Sequence, residues 1–154
     1  MQIKTSVLGA LLFSQCLIGS AYATESCQRF SECIQKTLAS QNDIDKILYS
    51  TRALKLWDKS MPQRDLLNIL KLHAEALLKV QATGAVPDDL DLLSQAENDY
   101  QRFLSLEPGN WLPLAGLAKI AEMRGQIQPA ENYFKQAVKA HKIPAYVQRA
   151  SFYE

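Results

Sequence analysis

Cys27 and Cys33 lie six residues apart, a spacing that could serve a disulfide but does not make the Cys-x-x-Cys of a thioredoxin-like redox centre. In one continuous helix, residues six apart are separated by roughly 9 Å of rise, beyond the ~7 Å between Cα atoms that a bridge tolerates. Either a helix begins after Cys27, with Ser31 as its cap and the two cysteines bridged, or both thiols stay reduced. The bridge is the favoured expectation, and it would lock the N-terminal edge of the fold. The histidines offer less. His73 and His141 have no second ligand at metal-binding spacing. His73 reads as a half-buried helix residue, and His141 falls in the last turn of a helix, where a cation suits the dipole. Asp88, Asp89 and Asp91 resemble the start of a calcium loop, but the sixth place, which must be Gly, holds Leu93, so they read as an acidic helix start. No Gly-rich phosphate loop, Gly-x-Ser-x-Gly or His-Glu-x-x-His occurs. The expectation is a protein that catalyses nothing and holds no cofactor or metal.

Residues 1–23 stand apart from this chemistry. Lys4 supplies a positive start, Val7 to Gly19 form an apolar run of 13 residues, and Ala21-Tyr22-Ala23 is a small-x-small cleavage site. Such a run is shorter than the ~20 residues of a membrane span, so a cleaved secretory signal is expected. Gln15 precedes Cys16, where a lipid-attachment site would carry a small residue. Export, most simply to a bacterial periplasm, would also permit the Cys27–Cys33 bridge. Residues 24–154 are then one domain, large enough to bury a core. Without Lys4 the chain has 16 basic and 16 acidic side chains. That balance gives no footprint for nucleic acid or an anionic membrane. No membrane insertion is expected once the signal is removed.

The elements that must position any site announce themselves as a repeat. Ala96-Glu97-Asn98-Asp99-Tyr100 recurs as Ala130-Glu131-Asn132-Tyr133-Phe134, 34 residues later. The register continues in Leu93 with Ile127 and in Leu104 with Val138. Residues 111–124 carry Leu112, Ala115, Ala118 and Ala121 at helical spacing, and small residues let two helices approach closely. Gly125-Gln126 makes a turn, and a return helix over 127–141 would bury Ile127, Ala130, Phe134, Ala137 and Val138. An earlier pair reads as helices over 64–82 and 89–106. The first is apolar around most of its circumference, with Lys71, Glu75 and Lys79 as a narrow polar stripe. The second would bury Leu93, Ala96, Tyr100 and Phe103. A shift of 46 residues aligns Ile47, Ser50, Leu54, Trp57 and Pro62 with Leu93, Ala96, Tyr100, Phe103 and Pro108. This places a third pair upstream, opening with a helix over 28–40 that buries Phe30, Ile34 and Leu38. Pro144 begins a last helix to Glu154, which would cap the end.

A period of 34 with Ala-x3-aromatic and a Pro twelve residues after the Ala is that of the tetratricopeptide repeat. Residues 64–144 resemble this family well, and 26–62 loosely. The resemblance implies an all-α fold, a right-handed stack of about three antiparallel helical hairpins with a C-terminal capping helix. It further implies an adaptor whose first helices line a concave groove for a protein or peptide partner. Similar exported proteins assist envelope, pilus or secretion-system assembly. Carried over by position, the partner-facing residues are Leu112, Lys119, Glu122 and Met123, with Trp111 beside them as an aromatic of the kind enriched at binding hot spots. Ala115 stands where chaperone-binding members carry a clamp Lys. Two other readings compete. One is structural self-association through Tyr146–Tyr153, giving a homo-oligomer. The other is a thiol redox protein using Cys27 and Cys33 as a reversible couple.

Overall fold

The computed structural model describes residues 27–84 and 91–140. These form six helices, α1 (Phe30–Ala39), α2 (Asp43–Leu56), α3 (Gln63–Ala82), α4 (Leu92–Leu106), α5 (Trp111–Met123) and α6 (Ile127–Ala140), with no strand among the described residues. The expected leader over 1–23, His141 and the expected capping helix lie outside them.

Local chemistry sets the helix ends. Asn42, Asp91 and Asn110 each precede a helix, and their side chains accept from the backbone N–H of Ile44, Ser94 and Leu112 at 2.9, 3.0 and 3.0 Å. Each bond satisfies a donor that the first helical turn leaves open. α5 stops in a Schellman turn. Gly125 takes a φ of +71°, its N–H donates to Glu122, and that of Gln126 donates to Ala121, both at 2.8 Å. The start of α1 differs from expectation. Ser31 is not its cap. The helix begins two residues earlier, at Phe30, behind Arg29, whose side chain makes no capping bond. Instead the Glu32 carboxylate reaches back to accept from Gln28 N–H at 3.0 Å. That bond, helped by Lys36, holds the Glu32 carboxyl below its usual range.

Consecutive helices pack against one another along the chain, and α3 also meets α5. α3 is the hub. Ala74, Leu77 and Val80 join Ala96, Tyr100 and Leu117 in one cluster, Leu66, Leu67 and Leu70 meet Phe103 in a second, and Ile69 meets Cys33 and Ala53 in a third. Each fully buried leucine there contributes roughly 1.5–3 kcal/mol. The small-residue stripe works as expected: Ala115 and Ala118 are buried on α5, and Ala130, Phe134 and Ala137 on α6. Arg124, just past α5, ties it to α4 by bonding Glu97 at 2.6 Å and Ser94 at 3.0 Å.

Two expected core positions are solvent-facing. Ile127 is 61% exposed, because helical side chains lean toward the N-terminus and this residue opens α6, so it projects past its neighbour. Leu38 is 62% exposed and lies in the wall of a groove between α1 and α3. At the start of α4, Leu92 is the buried residue and Leu93 only flanks the core. Leu92, Ala96, Tyr100 and Phe103 run down one helical stripe, which Leu93 borders.

Candidate functional site

Cys27 and Cys33 are bridged, with Cα atoms 5.2 Å apart. Cys27 precedes α1, which removes the spacing conflict. Both sulfurs are enclosed, against Ala53 and Ile69, so an attacking thiolate has no path to them in this state. Among the described residues no three His, Cys, Asp or Glu side chains are grouped to hold a metal ion. Asp91 is occupied in capping α4. Its carboxyl is held below the usual range by the Ser94 side chain, then the Ser94 backbone N–H.

His73 is placed differently from the half-buried position expected. It is only 7% exposed and joins three helices. Its Nδ1 lies 2.5 Å from Asp99 Oδ2 on α4, and its Nε2 lies 3.1 Å from Thr51 Oγ1 on α2. A carboxylate can only accept, so Nδ1 carries a hydrogen toward Asp99. The order carboxylate, imidazole, hydroxyl is that of a relay which activates a nucleophile. Here Thr51 sits in mid-helix, and none of the three residues lines the cavities described below. The arrangement therefore reads as a polar clamp. Sequence reasoning missed it because the partners are 22 and 26 residues away. The available signal was a lone histidine between Leu70 and Leu77 on an apolar face.

Of the partner-facing residues expected from sequence, all but Met123 are brought together around one cavity. Trp111, Leu112, Lys119 and Glu122 of α5 line one wall of a cavity of about 440 Å³, and Lys71, Glu75 and Leu78 of α3 line the other. Met123 is half-buried and is not part of this lining. Ala115 is buried in the floor. Each wall carries its own ion pair, Lys119 with Glu122 at 2.9 Å and Lys71 with Glu75 at 3.9 Å. The cavity therefore has no net charge.

Together with Phe134 of α6, Tyr100 of α4 completes the floor. Its ring fits only because residue 116 is glycine. A Cβ there would stand 2.4 Å from the ring's Cε2 and Cζ. Burial, with Glu75 and Asp99 adding to it, pushes the Tyr100 phenol well above its ordinary range. A second cavity, of about 290 Å³, continues the groove between α1 and α3 past Leu38 and Leu72, and Lys71 borders both. A wider depression of about 540 Å³ lies elsewhere, between Leu104, Pro108 and Leu114 and the end of α6, where the chain passes into 141–154.

No protein family, characterised protein or solved structure matches this chain. The functional reading therefore rests on these residues alone.

Proposed function

We propose that the protein is an exported, tetratricopeptide-like adaptor that binds another protein or peptide along the groove of α1, α3 and α5. In this reading α1–α2, α3–α4 and α5–α6 are three stacked hairpins, and alternate helices present the binding face. The observation that carries it is the pair of adjoining cavities sharing Lys71, with most of their lining drawn from α1, α3 and α5 and only Tyr100 and Phe134 added from α4 and α6. A preformed groove of this kind reduces the ordering cost of association. Its size falls in the ~300–1,000 Å³ range of binding clefts. No helix among the described residues is long and apolar enough to cross a membrane, which is compatible with residues 24–154 acting in a periplasm.

The test is affinity capture from the native envelope, followed by calorimetry with the purified partner. Paired reversal at Lys119 and Glu122 inverts the rim charges while keeping their mutual attraction, and should weaken binding at least tenfold. The same reversal at Glu131 and Lys135, an outer pair 3.3 Å apart, should change little. The opposite pattern defeats the groove reading. A concentration-dependent dimer in light scattering, with no captured partner, would favour self-association instead.

A further inference from the structure

The cavity between α3 and α5 holds a feature that general groove binding does not require. Tyr100 is 3% exposed, yet it lines that cavity and its hydroxyl makes no hydrogen bond among the described residues. It is also not among the fully enclosed polar atoms, so the oxygen meets the open space of the cavity. Phenylalanine would fill the same core position without a polar atom at this depth. Water can accept from this hydroxyl in the free protein, so a ligand that fills the cavity must replace that bond or leave a deeply placed donor unsatisfied.

Charge decides what that something is. Lys71 and Lys119 are each answered by a glutamate one turn along the same helix, so a strongly acidic or basic ligand finds no complement. Because the phenol is held in its neutral form, it carries no charge and always has a proton to donate, with its oxygen a weaker acceptor. The fitting ligand presents a neutral acceptor at its deepest point, with apolar atoms beside it for Leu78, Trp111 and Leu112. Amide carbonyls of a polypeptide meet this description. In a helical ligand the main-chain carbonyls are consumed internally, whereas an extended segment leaves them free.

We infer that the cavity takes an extended peptide segment of low net charge, and that Tyr100, admitted through the gap at Gly116, is its specificity-determining contact, donating from the hydroxyl to an amide carbonyl of the segment. This rests on the groove reading above and narrows it.

The test uses a phage-displayed library of random 12-residue peptides selected on the immobilised chain, with enriched sequences resynthesised for calorimetry. The expected result is enrichment of peptides of low net charge. Their affinity should fall about tenfold in Tyr100→Phe, the effect of one lost hydrogen bond, with the melting temperature retained. Peptides that bind, respond to reversal of Lys119 and Glu122, and lose less than twofold in Tyr100→Phe would overturn this inference and leave the groove reading standing. Enrichment of strongly charged peptides would also overturn it. No enrichment, or binding indifferent to both sets of variants, would overturn both. Gly116→Ala is a second probe: its Cβ displaces the Tyr100 ring, so wherever the variant keeps its helical circular dichroism, peptide binding should be lost.

Discussion

His73 and Asp99 stand 2.5 Å apart across the α3–α4 contact, and Asp99 makes no other side-chain hydrogen bond among the described residues. Thr51 extends the contact to α2. One histidine therefore couples three helices whose remaining contacts are mostly apolar and non-directional. Buried polar contacts of this kind fix the register of neighbouring helices.

Removing either partner should leave the other unsatisfied. His73→Ala and Asp99→Ala are each expected to cost about 1–3 kcal/mol or somewhat more. The double variant should cost clearly less than their sum, with a coupling of about 0.5–3 kcal/mol. Urea titrations of the four proteins measure this, and strict additivity would show that the contact contributes nothing.

The cystine closes a loop of seven residues from Cys27 to Cys33. By chain entropy, a loop that short stabilises by about 2 kcal/mol. Chemical denaturation with and without reductant should differ by that amount. Cys27→Ala should match the reduced protein and respond no further to reductant.

Phe134 is buried on the same face of α6 as Ala130 and Ala137, and it borders the cavity beside Ala115 of α5. Phe134→Ala is expected to cost about 3–5 kcal/mol. Ala130→Leu should cost roughly 1–3 kcal/mol by overfilling. If both variants melt with the parent, the contact is not the close packing described.

Asp91 supplies a pH dependence. Its folded carboxyl titrates below the ordinary value of 3.8, so its capping contribution is fully present above that value. It is lost as pH falls through the lower, folded value. Asp91→Asn retains a capping acceptor but removes the titration. Below pH 4 the variant should therefore lose less of its neutral-pH stability than the parent, as read by denaturant midpoints across an acid series.

Much of the helix order was legible because it follows from local rules. Gly125, the Asn110 cap and the Ala115–Ala118 stripe are all readable within one or two turns. The cavity walls were partly legible for the same reason, since Leu112, Lys119 and Glu122 follow from position within one helix. What escaped depends on proximity between distant segments. Tyr100 was assigned to the core by its place in the repeat, and nothing in its neighbours showed that Gly116 would open a route for its ring. His73 looked half-exposed because its two polar partners lie on other helices. At Ile127 the repeat pattern predicted burial and failed, because the helix end left no facing surface for it to cover.

The pairing of helices with their chain neighbours carries a kinetic consequence. With α3 and α5 as the separated pair, almost every contact partner of a given helix is supplied by the segment made just before or after it. Closing such short intervals costs little chain entropy, and domains rich in local contacts cross their folding barrier in microseconds to milliseconds. The first two helices and their cystine need nothing from the distal half of the chain to begin assembling. A polypeptide of this kind can acquire order progressively as it lengthens, each new helix finding its surface already laid down by the one before.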